Sequence, residues 1–252
     1  WYNFNSSNVA AFDSIYDMVC LAIDPSNPKH IYAGSCSKGL MEFNNRELVT
    51  VYSKYNSPLE GFVADLNRVF ISGLAFDSKN NLWVANSGAS SILHCRKPDG
   101  SWQSYNLGGN ASGLDIGEMV IDDYDQKWIL MRKEHSILVF NETITEGKPY
   151  KILGSATGEG AIPGNTVLSI AVDLDGEIWI GTDAGVAVFY SPDAVFSGNN
   201  FDAQRILVEQ GGYVQYLLEN ESVTAITVDG ANRKWIGTDK AGVFLLSADG
   251  TQ

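Results

Sequence analysis

The chain contains the stretch Ser169-Ile-Ala-Val-Asp-Leu-Asp-Gly-Glu-Ile-Trp-Ile-Gly-Thr-Asp-Ala-Gly-Val186. The same framework recurs as Ala225-Ile-Thr-Val-Asp-Gly-Ala-Asn-Arg-Lys-Trp-Ile-Gly-Thr-Asp-Lys-Ala-Gly-Val243. Two further segments, 73–85 and 118–130, keep the same frame. In all four copies an Asp precedes a Trp by six residues: Asp77/Trp83, Asp122/Trp128, Asp173/Trp179 and Asp229/Trp235. The chain is therefore built from repeats, and the period of the repeat indicates the architecture.

A fifth, more divergent copy begins at Asp24. Tyr32 takes the Trp position there, after a two-residue insertion in a turn that contains Pro25 and Pro28. The five Asp residues are separated by steps of 53, 45, 51 and 56 residues. This spacing accommodates four short strands with their turns, which is one blade of a β-propeller. We therefore predict an all-β fold, a β-propeller of four-stranded antiparallel blades with five visible repeats.

The blade frames are expected near 17–52, 68–105, 114–153, 165–208 and 221–247, within a single propeller domain or propeller fragment that covers 1–252. Residues 1–5 are predicted to form the outer strand of a preceding or closing blade. Two architectures remain open on this pattern, a closed five-bladed ring and a fragment of a larger propeller.

Turn and strand chemistry support the blade prediction. The third residue after each repeat Asp is of a type that tolerates positive φ, which predicts a tight turn between the inner and second strands; these residues are Asn27, Asn80, Asp125, Gly176 and Asn232. Side chains alternate along a strand, so Trp179 and Gly181 share one face. A large Trp beside a Gly suits the packing of one blade against the next, and we expect all four repeat Trp residues to be buried between blades.

Composition limits the function classes. The 252 residues are 44% hydrophobic and 19% charged, which is typical of a globular protein with a packed core. The 17 basic and 30 acidic residues give a net charge of −13, which argues against nucleic acid or an anionic membrane surface as a partner. No apolar stretch has the length of a transmembrane helix. The three cysteines lack metal-ligand spacing, and we predict no metal and no cofactor.

The pattern Trp-Ile-Gly-Thr-Asp-Ala-Gly-Val at 179–186, preceded by Ile-Ala-Val-Asp-Leu-Asp-Gly at 170–176, resembles the two-component regulator propeller repeat. In that family the repeat builds the periplasmic sensor regions of hybrid two-component systems in Bacteroidetes and the propeller component of the type IX secretion apparatus. The divergent copy at 24–35 and the long segments between blades favour the secretion branch. Blade five departs from the pattern by one extra residue, Ala241, and blade three lacks the glycine.

This resemblance implies an exported protein that acts in the periplasm or at the cell surface, in signalling or in secretion and surface attachment. It implies recognition of a glycan, such as lipopolysaccharide, or of a protein partner, within a larger multidomain chain. The motif residues of the family are structural, so no catalytic residue is carried over.

The residues themselves offer little chemistry. The three histidines, His30, His94 and His135, lack metal-ligand spacing, and there is no G-x-S-x-G nucleophile motif or phosphate-binding loop. We therefore predict no catalytic residues. The alternative is a glycoside hydrolase or lyase with carboxylates in the propeller funnel. The candidate carboxylates for that alternative are Glu134, Asp183, Asp239, Asp115 and Glu221.

A ligand is expected at the end of the propeller that carries the long segments 54–67, 107–115, 154–166 and 209–221, because long loops carry function more often than tight turns. Aromatic rings with polar and charged neighbours suit sugar or protein recognition. The predicted ligand-binding residues are Tyr55, Phe62, Arg68, Arg132, Asp183, Tyr213, Tyr216 and Asp239. Two alternatives remain open: the aromatic residues only fix their own loops in place, and the propeller only spaces neighbouring domains.

Overall fold

The computed structural model describes residues 3–15, 17–108, 114–198 and 200–251. The chain divides into two compact units, residues 1–119 and 120–252. Of the predicted outer strand at 1–5, Trp1 and Tyr2 lie outside the described residues, as does 109–113 of one predicted ligand-binding segment.

The first unit begins with a short 3-10 helix, Ala10–Asp13. Blade one follows as β1 (Met18–Ile23), β2 (His30–Ser35), β3 (Leu40–Asn44) and β4 (Glu47–Tyr52). Blade two consists of β5 (Phe70–Phe76), β6 (Leu82–Ser87), β7 (Leu93–Arg96) and β8 (Trp102–Tyr105). Each blade is one sheet in which consecutive strands pair antiparallel.

Three more sheets follow. Blade three consists of β9 (Ile116–Ile121), β10 (Lys127–Met131), β11 (Ser136–Phe140) and β12 (Tyr150–Leu153). Blade four consists of β13 (Val167–Val172), β14 (Ile178–Thr182), β15 (Gly185–Phe189) and β16 (Gln204–Arg205), with a short helix α1 (Ala194–Ser197) before its last strand. A hairpin of β17 (Leu207–Gln210) and β18 (Tyr213–Tyr216) precedes blade five, which consists of β19 (Val223–Val228), β20 (Lys234–Thr238) and β21 (Val243–Leu246).

The predicted four-stranded antiparallel sheets are therefore confirmed for blades one to four. Blade five has three strands within the described residues. The frame of blade four was expected to reach about residue 208, and its last strand in the structure is Gln204–Arg205. Leu207 and Val208 instead belong to the hairpin β17–β18, where they take part in its own pairing.

The tight turns follow the predicted chemistry with one exception. Positive φ values occur at Asn80 (60°), Asp125 (56°), Gly176 (80°) and Asn232 (59°). Asn27 is not among the residues with positive φ. The inserted turn between β1 and β2 reverses differently, with Asn27 donating to the Asp24 carbonyl and accepting from the amide of His30.

Each repeat Asp does more than form a turn. At Asp173, Oδ1 accepts the backbone N–H groups of Asp175 and Glu177, and Oδ2 accepts the indole N–H of Trp179 at 3.2 Å. The indole bond recurs at Asp77, Asp122 and Asp229, with lengths of 2.8, 2.9 and 3.1 Å. The constant six-residue spacing in the sequence therefore reflects a direct side-chain bond that links the turn to the second strand.

The surroundings of these carboxylates set their pKa values in different directions. Burial raises the pKa of Asp122. Burial alone would also raise the pKa of Asp77, but hydrogen bonds from Asn81 and Trp83 outweigh it and lower that pKa. The same balance lowers the pKa of Asp173, where the Lys234 ammonium contributes most.

Apolar contacts between adjacent blades form the core of each unit. In the first unit, Tyr32 and Leu40 of blade one pack with Leu74, Leu82 and Val84 of blade two. In the second unit, the cores lie between blades three and four and between blades four and five. The repeat aromatics Trp83, Trp128 and Trp179 are buried as predicted. Trp235 contradicts the prediction, because 42% of it is exposed.

Candidate functional site

The predicted ligand-binding residues of the first unit are Tyr55, Phe62 and Arg68. Arg68 donates through Nε to the Cys36 carbonyl at 2.7 Å, and its guanidinium lies 5.7 Å from the centre of the Phe62 ring. Phe62 donates its backbone N–H to the Arg68 carbonyl at 2.7 Å, and its ring lies directly over Gly88. Phe62 and Arg68 therefore hold their own loop in place.

Tyr55 differs from these two residues because 84% of it is exposed. The ammonium of Lys54 lies 5.2 Å from the centre of its ring, and the same ammonium donates to the Leu66 carbonyl at 2.7 Å. Of the predicted ligand-binding aromatic residues in this unit, Tyr55 is therefore the one whose ring is exposed to solvent.

The predicted residues of the second unit also divide into held and exposed groups. Asp183 accepts the backbone N–H groups of Asn165 and Thr166 at 2.7 and 3.0 Å, so it fixes the end of the 154–166 segment. Arg132 is exposed in the turn between β10 and β11. Asp239 is exposed as well, and its backbone N–H donates to the Ser222 carbonyl at 3.0 Å.

Tyr213 and Tyr216 lie on a regular hairpin and not in a loop. Strands β17 and β18 pair over four residues, and their turn is Gly211-Gly212 with φ values of 60° and 83°. Two consecutive positive φ values characterise the type I′ turn, which Gly-Gly adopts without strain. The sequence carried this signal, a Gly-Gly pair between two runs rich in β-formers, and it could have predicted the hairpin.

The hairpin exposes apolar and aromatic side chains. Tyr213 is 78% exposed, and Leu207 and Val214 are also exposed. Tyr216 is less available, because the Arg205 guanidinium lies 3.9 Å from the centre of its ring. Arg205 is itself held by the Ala184 carbonyl at 3.0 Å. The open part of the hairpin is thus its turn and the first half of β18.

A groove of about 440 Å³ runs between the hairpin and β21. Its apolar lining comes from Leu217, Leu218, Phe244 and Leu246. Its acidic lining comes from Glu209, Glu219 and Glu221. The hairpin and this groove combine exposed apolar groups with negative charge, which suits contact with a basic, partly apolar surface.

Blades one and two share a buried polar cluster that sequence analysis missed. The Glu42 carboxylate accepts hydrogen bonds from the hydroxyl groups of Tyr52 and Tyr32, at 2.5 and 3.2 Å. Its Oε1 lies 2.7 Å from Nε2 of His30. Arg96 of blade two donates to the hydroxyl oxygens of Tyr32 and Tyr52, both at 2.9 Å, and lies 3.4 Å from Glu42. No local spacing in the sequence links Arg96 to Glu42, since they come from different blades.

The cluster joins the two blades and holds a permanent charge. Burial alone would raise the pKa of Glu42, but hydrogen bonds from Tyr52 and His30 outweigh it and lower that pKa. Burial raises the pKa of Tyr52, and the bond to Glu42 adds to this effect. The carboxylate therefore stays ionised while both phenols stay protonated at neutral pH. Apart from the buried Nε of Arg96, the polar groups of the cluster pair with one another, which is typical of a structural bridge.

The other two histidines are His94 and His135. His94 is fully buried, with Nδ1 2.8 Å from the Ser104 hydroxyl, and burial lowers its pKa to about 4. His135 lies in the exposed turn after β10 with φ of 51°. Within the described ranges, no three His, Cys, Asp or Glu side chains come together as metal ligands. In that same part of the chain, no helix is both long and apolar enough to cross a bilayer.

The repeat geometry agrees with a comparison of sequences. The family model described as the two component regulator propeller matches residues 161–184, which include the Asp173–Trp179 pair. Residues 161–184 carry one copy of the two component regulator propeller repeat. The resemblance predicted from the sequence is thereby confirmed. No curated protein matches the chain.

Solved structures extend the comparison over most of the chain. The repeat protein is similar to PorZ, an essential bacterial surface component of the type-IX secretion system of Porphyromonas gingivalis. The TM-score is 0.80 at 25% identity, and the match covers 93% of this chain and 33% of that one. It is also similar to the extracellular domain of a protein described as a hybrid two component system of B. thetaiotaomicron, with a TM-score of 0.61 at 18% identity. That match covers 92% of this chain and 28% of the other.

An enzyme shares the same fold. Virginiamycin B lyase from Staphylococcus aureus gives a TM-score of 0.56 at 11% identity, over 90% of this chain and 78% of the lyase. At this identity the likeness shows the fold alone, as it does for the two-component system domain. The repeat protein spans about a third of the length of PorZ, and less of the two-component system domain.

Proposed function

We propose that this chain is a non-enzymatic, extracytoplasmic propeller module that binds a protein partner through the hairpin β17–β18. The observation that carries the proposal is that this hairpin is additional to the strands of a blade and exposes Tyr213, Val214 and Leu207. Exposed apolar groups on an element that the fold does not require are a mark of an interaction surface. The partner surface is basic, because Glu209, Glu219 and Glu221 line the adjoining groove.

The secretion branch is favoured over two-component sensing. The similarity to PorZ is higher than the similarity to the two-component system domain in both TM-score and identity. On this proposal the chain acts in the periplasm or at the cell surface, as part of a longer protein in type IX secretion or surface attachment. Its five blades belong to one propeller, either a closed ring or part of a larger one.

A glycan such as lipopolysaccharide is the second candidate ligand. Tyr213 and Tyr55 support it, because both rings are open to stacking. A protein is preferred at the hairpin because the face of Tyr216 is covered by Arg205, which leaves one free ring among aliphatic neighbours.

The enzymatic alternative has less support. Of the carboxylates that could act in a glycosidase or lyase, Asp183 already accepts two backbone N–H groups in its own loop. Structural similarity to a lyase at 11% identity does not imply that this chain has lyase activity.

The test is photo-cross-linking in the native cell. A photoreactive phenylalanine analogue replaces Tyr213, and in a matched control it replaces Tyr124, an exposed tyrosine in the tight turn between β9 and β10. We expect one discrete protein adduct from position 213 and none from position 124. A parallel screen tests purified wild type and Tyr213→Ala on a glycan array and on lipopolysaccharide. Tyr213-dependent glycan binding without a protein adduct would contradict the protein-partner proposal.

A further inference from the structure

The hairpin β17–β18 is a two-stranded sheet with one packed face and one exposed face. Within the described residues, no third strand pairs with β17 or β18. Val208 lies on the packed face, against the apolar core between blades four and five. Side chains alternate along a strand, and the register places Leu207, Glu209 and Val214 together on the other face. All three of these residues are exposed, so this face of the hairpin is open to solvent.

The ladder of the hairpin determines which of its backbone groups point outward. A type I′ turn closes with a hydrogen bond from the N–H of its fourth residue to the carbonyl of its first, here Tyr213 and Gln210. Hydrogen-bonded and non-hydrogen-bonded pairs alternate along an antiparallel ladder, so the next pair, Glu209 and Val214, is a non-hydrogen-bonded one. The N–H and C=O groups of such a pair point away from the partner strand. By the same alternation, those of Leu207 point outward as well.

The two outer edges of the hairpin differ in how far they are occupied. On β18, Tyr216 uses its outward groups within the chain: its N–H donates to the Glu219 carboxylate at 3.4 Å, and its carbonyl accepts the Glu219 N–H at 3.2 Å. On β17, Leu207 and Glu209 present their outward N–H and C=O groups along one edge, and no strand of the described chain pairs with that edge. The outer edge of β17 is therefore the open side of the hairpin.

We propose that the protein partner binds by strand addition, with an extended segment of the partner pairing along the outer edge of β17. This inference rests on the proposed function and specifies how the hairpin holds its partner. An unpaired strand edge is a template for backbone hydrogen bonds with another chain, and strand addition is a general mode of peptide recognition. The outer strands β4, β8 and β12 also end their sheets, but β17 contributes both to the exposed face of the hairpin and to the acidic groove.

The side chains of β17 specify the residues of the added segment. Side chains next to Leu207 and Glu209 on an added strand come from residues two positions apart, because every second residue shares a face. Leu207 is 58% exposed and suits an apolar neighbour, whereas the Glu209 carboxylate suits a Lys or Arg. The segment is therefore extended, with an apolar and a basic residue two positions apart. A second copy of this chain fits less well, because each copy carries a net charge of −13 and brings another Glu209 to the edge.

Proline variants test the backbone contribution, since proline removes an N–H group and is tolerated at strand edges where that group faces solvent. Glu209→Pro removes an outward N–H of β17. Glu209→Gln removes the charge of the same residue and keeps its N–H. Ile152→Pro is the matched control, because the register places Ile152 at an outward position of β12, the outer strand of blade three. Circular dichroism and hydrogen exchange of the purified variants check that the hairpin and the blade remain folded.

All variants carry the photoreactive phenylalanine analogue in place of Tyr213 and are irradiated in the native cell. We expect Glu209→Pro to lower the yield of the protein adduct about tenfold, because backbone hydrogen bonds to the partner are lost, and Ile152→Pro to leave it unchanged. Glu209→Gln should lower the yield less than Glu209→Pro does. An adduct that persists in Glu209→Pro would overturn strand addition and leave the partner-binding role intact. Absence of any adduct from the parent protein would remove both.

Mapping the cross-links gives a readout that does not depend on the proline variants. The analogue replaces Leu207 in one protein and Glu209 in another, and mass spectrometry locates both attachment points on the partner. We expect the two points to fall in one segment of the partner, about two residues apart, because paired strands run alongside each other in register. Attachment points in separate segments would overturn strand addition. An adduct with the mass of two copies of this protein would also overturn it, since a second copy would then be the occupant.

Discussion

Blades four and five share the Asp–Trp motif and the stretch Trp-Ile-Gly-Thr-Asp, and they differ in what lies against them. The bond from the indole to the repeat Asp is 3.2 Å long in blade four and 3.1 Å in blade five. Positive φ at the turn residue also recurs, at Gly176 and Asn232. Trp179, however, is buried, while Trp235 is exposed. The repeat motif thus sets the geometry inside a blade, and the neighbouring blade determines how much surface that motif buries.

This difference separates local from tertiary contributions to stability. A hydrogen bond on the surface competes with water and adds little, whereas the same bond in a dry interface is costly to break. Equivalent substitutions in the two blades should therefore have unequal effects, although the motif residues are identical.

The largest expected difference comes from the repeat tryptophans. Trp179→Ala should lower the free energy of unfolding by about 3–5 kcal/mol, because it empties a large volume in a packed core. Trp235→Ala should cost about 2 kcal/mol in the 252-residue chain, because 42% of this residue is exposed and less buried area is lost than at Trp179. Urea unfolding followed by circular dichroism measures both values. Equal losses of unfolding free energy for the two variants would contradict the inference that the neighbouring blade makes Trp179 more important for stability than Trp235.

The second difference concerns the cations beside the repeat carboxylates. Lys234 is buried against Asp173 and the Trp179 ring, while Arg233 pairs with Asp229 at the surface. Lys234→Met should cost about 3–5 kcal/mol, because it leaves a buried carboxylate without its charge partner. Arg233→Met should cost less than about 1 kcal/mol. The same unfolding assay applies, and a cost for Arg233→Met as large as that for Lys234→Met would contradict the interface assignment.

Much of this architecture could be predicted from the sequence, because the repeat signal is local. The six-residue Asp–Trp spacing predicted the blade frames. The types of the turn residues predicted positive φ, which the structure has at Asn80 and Asn232. The exposure of Trp235 could not be predicted in the same way. The residues Ile-Gly-Thr-Asp follow both Trp235 and Trp179, and burial depends on a neighbouring blade that the motif does not encode.

The candidate site was predicted only in part, for a related reason. Tyr213 was expected to bind a ligand from the long segment 209–221, and it is exposed there, but the hairpin that carries it was missed, although Gly211-Gly212 indicated it. Phe62 and Arg68 have the same residue types as a ligand site, yet they bind each other and their own loop. Residue type cannot separate these cases, because both roles use exposed-type aromatics and cations.

The smallest expected difference appears in acid. Burial alone would raise the pKa of Asp173, but the Lys234 ammonium lowers it below its ordinary value of 3.8. A carboxyl group with a lowered pKa in the folded state stabilises the fold fully above its unfolded pKa, and this stabilisation is lost as pH falls through the folded pKa. The free energy of unfolding should therefore decrease as pH falls from about 4 downward.

Substitution identifies the carboxyl group responsible. The hydrogen bond from Arg233 also lowers the pKa of Asp229, but solvent screens this partly exposed pair, so Asp173→Asn should flatten this part of the pH profile more than Asp229→Asn. Urea unfolding at a series of pH values from 6 to 2 measures the slope. A profile that responds more to Asp229→Asn would show that the buried pair is not the source of the acid sensitivity.

Hydrogen–deuterium exchange of the 252-residue chain can separate stabilisation by a neighbouring blade from stabilisation by the motif itself, since it reports the opening of each blade within one molecule. We infer that a neighbouring blade, and not the motif itself, stabilises each repeat. Strands β14 and β20 carry equivalent residues of the same motif and are each paired on both sides. We therefore expect backbone amides of β14 to exchange slowly and those of β20 to exchange markedly faster. Equal protection of the two strands would contradict it.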